Sequence, residues 1–528
     1  MRRNLVANFV AQTLGVLLNL ACVPIFLHLL GAEQYGLVGF AVSLQAMLAV
    51  LDLGLATTAN REFSRTGGQG TGVASGPVML RTLELIYFGM GAAVAVVLIV
   101  AAPWISDHWL QVSGTPPGVV RTSLILLGLA TGLRWPVGLY SGVLLGLERQ
   151  VSLNVVIIAR SALRTAGAAL VLYLVGGTAV TYFGCLAVVS CLEVAATSWL
   201  AWRSQPTRAA GEARFDAGVI RSFWSFSGEL TLVSLFAAVL KQEDKVILGR
   251  LAPLAALGHY TVASTLSGGL LLFSTPVFIA VFPRFSSLLA RGEERDAASL
   301  YHRASALVAM LVAPAAAALI LFPGTVLSEW TRSPGVAEEA SGALSVLAFA
   351  MLLNACMQVP YALLLAAGLT RISLWMNGLG VAILAPLLVL LIRRYGIVGG
   401  GAAWALFNMA YFLIAPAILH RYVLKGHLRR WLLADTLPFY ALAAFFFGGA
   451  AWLGRHTAHG WNAWILLGAA GALYGVTVAV VWGRGPVNLF HAAGMLLSGK
   501  GSVAQPAGPA RAAAERVESS AYDGTGLL

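Results

Sequence analysis

Residues 5–30 read LVANFVAQTLGVLLNLACVPIFLHLL, a run that contains no Asp, Glu, Lys or Arg. A helix needs about 20 apolar residues to cross the hydrocarbon core of a membrane, and this run is longer than a signal peptide core. The whole chain of 528 residues is 59% hydrophobic and only 11% charged, with a mean hydropathy of +0.81. This composition excludes a water-soluble protein and predicts an integral membrane protein whose first helix is retained.

The same length rule, applied along the chain, predicts an all-α integral membrane fold with fourteen transmembrane helices. We place them near residues 5–30, 35–58, 82–104, 122–147, 151–175, 179–202, 229–250, 257–282, 304–326, 343–367, 372–392, 398–420, 437–454 and 461–483.

The positive charge follows the predicted topology. The net charge is +12, and of the 34 Lys and Arg residues 23 fall on segments predicted to be cytoplasmic, 6 on outside segments and 5 within spans. Basic residues gather on the cytoplasmic side of membrane proteins. The sequence therefore predicts that both termini are cytoplasmic, and the charge does not require a nucleic-acid partner.

Two short patterns recur after six predicted helices. YGLVGFA at 35–41 resembles YTVASTL at 260–266, and YSGVLLGLER at 140–149 resembles YALLLAAGLTR at 361–371. An even number of helices keeps both copies in the same orientation, which predicts two lobes related by an axis along the membrane normal and a cavity between them. Chance similarity between apolar segments is the alternative. The predicted domains are an N-terminal six-helix lobe (1–205), a C-terminal six-helix lobe (206–425), helices 13 and 14 (426–483) and a disordered cytoplasmic tail (484–528).

Five cations lie inside the predicted spans: Arg134, Arg160, Arg164, Lys241 and Lys245. A charge at the centre of a span costs roughly 2.5–3.5 kcal/mol and therefore faces protein or water. Arg134 is followed by Trp135 and Pro136, and the proline removes a backbone hydrogen bond and predicts a kink there. Arg160 and Arg164 are four residues apart, as are Lys241 and Lys245 in the stretch LKQEDKV, so each pair shares a helix face. We predict that the five bind an anionic substrate in a common cavity. The alternative is that they form internal salt bridges that only hold the helices together.

Several acids and amides lie in the same spans. Asp52, Glu193 and Asp244 are candidates for carrying a coupling ion, and Asp244 could instead pair with a basic residue of a neighbouring helix. Glu84 and Glu229 lie near helix ends, where a solvated role is an equal alternative. Asn354 and Gln358 share a helix face and suit sugar hydroxyls, although an interhelical hydrogen bond explains them equally well.

No metal or cofactor is predicted. The four cysteines lie within apolar segments and show no disulfide or zinc spacing. The segment 494–501 approximates a phosphate-binding loop, but Gly501 stands where Ser or Thr would hold magnesium.

The segment 30–65, LGAEQYGLVGFAVSLQAMLAVLDLGLATTANREFSR, resembles the N-terminus of polysaccharide transporters of the MOP (multidrug, oligosaccharidyl-lipid, polysaccharide) exporter superfamily, especially Wzx-type flippases. Residues 244–266 and the turn GLTRISLWMN at 368–377 are similar to that family's second half. The resemblance implies a MATE-like fold without enzymatic activity in the bacterial inner membrane. It also implies a lipid-linked oligosaccharide substrate, carried on undecaprenyl pyrophosphate from the cytoplasmic to the periplasmic leaflet for O-antigen, capsule or exopolysaccharide synthesis.

The implied partners are this substrate, membrane lipids, a coupling proton or sodium ion and the polymerase of the same pathway. A MATE-like multidrug or cation antiporter is the first alternative, but the first helix lacks the acid that such proteins typically carry. A membrane-embedded polysaccharide polymerase or ligase is the second, but no large periplasmic loop is present.

Overall fold

A computed structural model describes residues 2–52, 54–66, 76–205, 228–454 and 460–482, and nearly all of these residues are helical. The helices are α1 (Arg2–Leu48), α2 (Leu55–Thr66), α3 (Gly76–Trp104), α4 (Pro117–Arg134), α5 (Val137–Gly146), α6 (Gln150–Ala162), α7 (Ala168–Val175), α8 (Ala179–Arg203), α9 (Gly228–Leu251), α10 (Leu254–Gly268), α11 (Leu271–Ala290), α12 (Glu294–Leu321), α13 (Pro323–Thr331), α14 (Pro334–Ala366), α15 (Thr370–Tyr422), α16 (Leu428–Arg430), α17 (Leu437–Gly454) and α18 (Gly460–Trp482). The all-α membrane fold is confirmed.

Two of the helices are interrupted by a glycine. Gly31 in α1 has φ 74° and Gly396 in α15 has φ 57°, conformations that only glycine adopts at little cost. A Cβ at Gly399 would lie 2.0 Å from the carbonyl oxygen of Leu391, so the chain turns back on itself at Gly396. Within the described residues, 11 helical segments are long and apolar enough to span a membrane, and two of these segments contain Gly31 and Gly396. The count of fourteen spans stays a prediction.

Some helix bounds differ from the predicted ones. α12 begins at Glu294 and α14 at Pro334, about three turns earlier than predicted, because their first turns are polar and the length rule counted only apolar residues. The predicted helix 257–282 is two helices, α10 and α11. The loop 206–227 and the predicted disordered tail 484–528 lie outside the described residues.

The α1–α10 seam closes one end of the bundle. We use this name for the contact between residues 32–39 of α1 and residues 254–261 of α10. A Cβ at Gly36 would lie 2.1 Å from the Leu254 oxygen, and a Cβ at Gly258 would lie 1.9 Å from the Ala32 oxygen. The two backbones are thus in direct contact, and there is no room for water between them.

Hydrogen bonds surround the seam. Leu254 donates its N–H to the Gln111 oxygen at 2.8 Å, and Gln111 Nε2 donates to the Arg250 oxygen at 3.0 Å. Nearby, Glu33 accepts hydrogen bonds from the backbone of Ser113 and Gly114, at 2.6 Å for Ser113. The connection before α4 is therefore bound to both α1 and the start of α10.

Glu84 joins three helices at the opposite end of the bundle. Its buried carboxylate accepts hydrogen bonds from Tyr140 Oη at 2.7 Å, Trp202 Nε1 at 2.6 Å and Arg81 at 3.1 Å. The solvated alternative for Glu84 is therefore wrong, because α3, α5 and α8 together enclose the carboxylate.

The last two helices pack against α12. Phe439 and Phe447 of α17 and Tyr474 of α18 form one buried cluster with alanines of α12, including Ala309 and Ala313. Tyr474 also donates its hydroxyl to the Met310 oxygen at 2.9 Å. Small residues on α12 let the aromatic rings approach closely, as is usual between membrane helices.

Candidate functional site

A cavity of about 350 Å³ opens where α1 meets α2 and α4 meets α5. We call it the Arg134 cavity. Its walls combine apolar side chains with a few polar ones, as ligand sites do. The lining residues are Gln45, Ala49, Asp52, Ala56, Thr131, Arg134, Trp135, Val137, Gly138 and Ser141.

Two helix interruptions create this space. α4 ends at Arg134 and α5 begins at Val137, because Pro136 lacks an N–H and disrupts the preceding turn. The kink predicted from Pro136 is confirmed. A single 3₁₀ turn, Ala49–Asp52, follows α1 before α2 begins. Asp52, expected inside a continuous helix, therefore lies at a break between helices.

Arg134 and Arg160 share one carboxylate. Arg134 Nε donates to Glu193 Oε2 at 2.9 Å, and Arg160 Nε lies 3.1 Å from Glu193 Oε1 in a geometry that makes an ion pair but no hydrogen bond. Glu193 is buried, whereas the Arg134 side chain is 39% exposed. One negative charge between two guanidinium groups leaves the cluster positive.

Arg164 lies beyond this cluster on a π-helical turn, Leu163–Gly167, so the face it shares with Arg160 is shifted from that of a regular α-helix. Within the described ranges Arg164 has no ion-pair partner, and its charge acts on Arg160. Arg160 and Arg164 therefore add positive potential behind Arg134 without lining the cavity.

Sequence reasoning missed Trp135. Its indole Nε1 is buried in the cavity wall and has no hydrogen-bond partner among the described residues. A buried N–H without an acceptor is costly and usually marks a missing partner. Trp135 could have been found from its position in the sequence, because it lies between Arg134, a predicted binding residue, and Pro136, a predicted kink.

Asp52 faces the same cavity. Tyr87 donates its hydroxyl to one carboxylate oxygen, and the Ala56 N–H donates to the other at 3.2 Å. The carboxylate therefore caps the first turn of α2 and is still accessible from the cavity. Its predicted role in ion coupling stays a prediction.

The two lysines of LKQEDKV are not in this cavity. Lys241 is exposed on α9, Lys245 is partly buried, and neither has an ion-pair partner among the described residues. Arg134 is the one of the five cations that lines this cavity, and binding of one substrate by all five stays a prediction. α9 nevertheless packs against the Ala49–Asp52 turn, so the lysines lie on a helix that borders the cavity.

The two acids of LKQEDKV, Glu243 and Asp244, are buried, unlike its lysines. Asp244 is buried and accepts a hydrogen bond from Tyr260 Oη at 2.7 Å. Among the described residues, Asp244 therefore contacts a tyrosine of α10 and not a basic residue, which was the alternative for it, and its role in ion coupling stays a prediction. Glu243 is buried as well, and its Oε1 has no partner within the described part of the chain.

Asn354 and Gln358 are engaged with other side chains. Asn354 Nδ2 donates to Asn408 Oδ1 at 3.0 Å, and Gln358 Nε2 lies 3.5 Å from Asn354 Oδ1. The interhelical alternative thus describes Asn354, and a contact with sugar hydroxyls stays a prediction. Among the described residues, no three His, Cys, Asp or Glu side chains are grouped as a metal site requires.

Replacing Glu193 by Gln should lower stability and strengthen anion binding together. Removing one partner of a buried ion pair costs about 3–5 kcal/mol, reduced here because Arg134 is partly solvated. The same change removes the negative charge beside Arg134 and frees its guanidinium for an anion in the cavity. We expect a lower thermal unfolding midpoint and tighter pyrophosphate binding, with Glu338→Gln, an exposed acid on α14, as the unaffected control. Weaker pyrophosphate binding by a folded Glu193→Gln protein would contradict this assignment.

Comparison with known proteins identifies the family. The model of a family described as "Polysaccharide biosynthesis protein" matches residues 1–289, more than half of the chain. The chain belongs to this family. A second model, MatE, matches residues 230–390 of the chain. None of the curated proteins matches this chain.

Solved structures show the same fold. The lipid II flippase MurJ in an inward closed conformation is 11% identical, with a TM-score of 0.63, and the match covers 91% of this chain and 99% of MurJ. A multidrug resistance MATE family transporter of the MOP superfamily, in an inward-facing conformation, is 13% identical, with a TM-score of 0.62 and coverage of 78% and 96%. The chain therefore has the fold of MOP superfamily transporters and is a multi-pass membrane protein, which confirms the resemblance found in its sequence.

Proposed function

We propose that this protein is a flippase that moves an oligosaccharide linked to undecaprenyl pyrophosphate from the cytoplasmic to the periplasmic leaflet, by alternating access and without a covalent step. The observation that carries the proposal is Arg134, a partly exposed arginine in the wall of a cavity inside a membrane protein. A planar guanidinium binds phosphate oxygens through two parallel hydrogen bonds, and a pyrophosphate offers several such oxygens.

The surroundings of Arg134 favour an anion. Glu193 neutralises one of the two arginines it contacts, and Arg164 adds a further charge nearby. The Trp135 N–H supplies a neutral donor in the same wall. The cavity volume of about 350 Å³ fits a diphosphate and the first sugar, so the lipid chain would remain in the bilayer.

A cation antiporter is the second candidate, because Asp52 lines the same cavity and the MatE model matches the second half. A lipophilic cation that approached Asp52 would be repelled by the positive charge of Arg134 in the same cavity. The two candidates therefore predict opposite effects of charge on binding.

The test is transport by the purified protein in liposomes. We expect a labelled undecaprenyl-pyrophosphate oligosaccharide to reach the opposite leaflet only in liposomes that contain the protein. Inorganic pyrophosphate should compete, and lipophilic cations should not. Transport of cations without movement of the lipid would reject the flippase in favour of the antiporter.

The proposed orientation has its own test. Reporter fusions at Gly426 should report the cytoplasm, and fusions at Thr115 and Ser333 should report the periplasm, because the basic residues lie mainly on the Gly426 side. A periplasmic signal at Gly426 would invert the orientation, and equal signals at all three positions would contradict the helix count.

A further inference from the structure

A second cavity lies at the end of the bundle opposite the α1–α10 seam. It has a volume of about 500 Å³ and forms where the first turns of α12 meet the end of α15 and the start of α16. We call it the His427 pocket. Its lining residues are Glu294, Arg295, Ala298, Ser299, His302, Tyr422, Val423, Leu424, Lys425, His427 and Arg430.

The mouth of the His427 pocket is positively charged. Arg295, Lys425 and Arg430 are exposed, and none of the three has an ion-pair partner within the described ranges, while Glu294 is the one carboxylate among the lining residues. Exposed cations that outnumber the acids around them attract anions and hold them by charge-assisted hydrogen bonds.

A chain of three side chains forms the inner wall. Buried Asp435 accepts from His302 Nδ1 at 2.5 Å, and His302 Nε2 lies 2.8 Å from His427 Nδ1. With Asp435 ionised, His302 carries its proton on Nδ1, so its Nε2 accepts a hydrogen bond from the His427 Nδ1–H. The Nε2 atom of His427 then remains without a partner among the described residues. A proton added there would turn it into a donor for an anion in the pocket.

We propose that the His427 pocket binds the phosphate group of an anionic ligand, supplied either by a lipid headgroup or by free phosphate. Arg430 and Lys425 hold the phosphate oxygens, and protonated His427 donates from Nε2. Tyr422 is exposed at the pocket mouth, and tyrosine side chains concentrate at the depth of the lipid headgroups in membrane proteins. Basic pockets between helices on the cytoplasmic side suit such headgroups.

A phosphate bound in the His427 pocket should also hold the last two helices, α17 and α18, in place against α12. The pocket joins α12 to the turn that leads into α16 and α17, and α17 packs on α12 beyond it. A bound phosphate connects residues on both sides of this joint. This binding is independent of the flippase proposal, because it requires no transport and involves no residue of the Arg134 cavity.

Binding should be linked to proton uptake. Burial, the neighbouring His302 and the Arg430 guanidinium hold the pKa of His427 below its usual range. A bound anion raises that pKa, so affinity increases as pH falls from above the pKa of the bound form to below that of the free form. The charged or titratable groups around His427 are His302, His420, Asp435 and Arg430, with Glu294, Arg295 and Lys425 in the pocket wall.

The test uses the purified full chain in detergent, with dihexanoylphosphatidylglycerol, dihexanoylphosphatidylcholine and inorganic phosphate as probes at constant ionic strength. Arg430→Gln should weaken binding of the anionic probe at least about tenfold, the value of one lost charge-assisted hydrogen bond. Arg429→Gln, at a neighbouring exposed arginine outside the pocket, is the matched control. Selective binding of the phosphatidylglycerol identifies a lipid headgroup, and selective binding of inorganic phosphate identifies the free anion.

The pH arm uses phosphatidylglycerol, whose phosphodiester keeps its charge between pH 8 and 5.5. We expect affinity to rise on the order of tenfold as pH falls, equivalent to a one-unit rise in the pKa of His427, and to stay flat in His427→Gln. Equal binding by Arg430→Gln and Arg429→Gln, or no preference for either anion over phosphatidylcholine, would overturn the proposal. A pH dependence that survives in His427→Gln would remove His427 from the site.

Discussion

Replacing Arg134 by Ala should leave a folded, inserted protein whose initial rate of lipid-linked oligosaccharide flipping is about 100-fold lower. The substitution removes the guanidinium that faces the Arg134 cavity. Hydrogen bonds to charged groups contribute about 1.5–3 kcal/mol, and each 1.4 kcal/mol is about a factor of ten. The measurement is flipping in proteoliposomes at matched protein content, with folding checked by size-exclusion elution and thermal unfolding.

Two matched variants make this result specific. Arg121→Ala removes an arginine from the same helix, where it pairs with Asp107 on the surface, and should flip at the wild-type rate. Arg134→Lys keeps the charge but loses the two parallel hydrogen bonds, so we expect an intermediate rate. Wild-type flipping by Arg134→Ala would remove this arginine from the substrate path.

Replacing Gly258 by Val should force the α1–α10 seam open. The new Cβ would lie 1.9 Å from the backbone oxygen of Ala32, and a backbone atom cannot rotate away as a side chain does. Overpacking costs about 1–3 kcal/mol, enough to shift a two-state equilibrium by about tenfold or more. We expect the variant to favour a conformation open at this end and to transport slowly, because it cannot close.

The measurement is labelling of Thr261→Cys by a membrane-impermeant thiol reagent, in a background without the four native cysteines. Thr261 lies in the seam and is buried, so it should react slowly in the parent and at least tenfold faster with Gly258→Val. Gly268→Val on the same helix has open space around its Cβ and serves as the control. Unchanged labelling with Gly258→Val would show that the two helices shift to accommodate the valine while the seam stays closed.

The sequence predicted those parts of the fold that depend on residues close together in the chain. Apolar length predicted the spans, and Pro136 predicted the kink that helps to form the Arg134 cavity. The cost of a charged side chain inside a predicted span also identified Arg134 and Asp52, both of which line the cavity. In each case the free energy depends mainly on the residue type and its place in a span, and little on which helix lies beside it.

Partners across the bundle did not follow from the sequence. Asp244 binds a tyrosine of α10 rather than a basic residue, and Glu84 is enclosed by α3, α5 and α8 instead of solvated. Both outcomes depend on which helix faces which, and helix periodicity does not encode that. The His302, His427 and Asp435 chain was missed for the same reason, since His302 lies 125 or more residues before the other two.

The close contact between Gly36 and Leu254 also determines across which part of the protein the membrane potential drops. Water reaches Arg134 but has no space between the two backbones at the seam, so the electric field concentrates across the sealed layer. Each elementary charge that crosses 100 mV changes the free energy by about 2.3 kcal/mol. In the proposed orientation, a pyrophosphate at Arg134 is still at the cytoplasmic potential, and a negative interior drives it outward only when the seam opens. Voltage should therefore accelerate the opening step and leave the affinity of the cavity nearly unchanged.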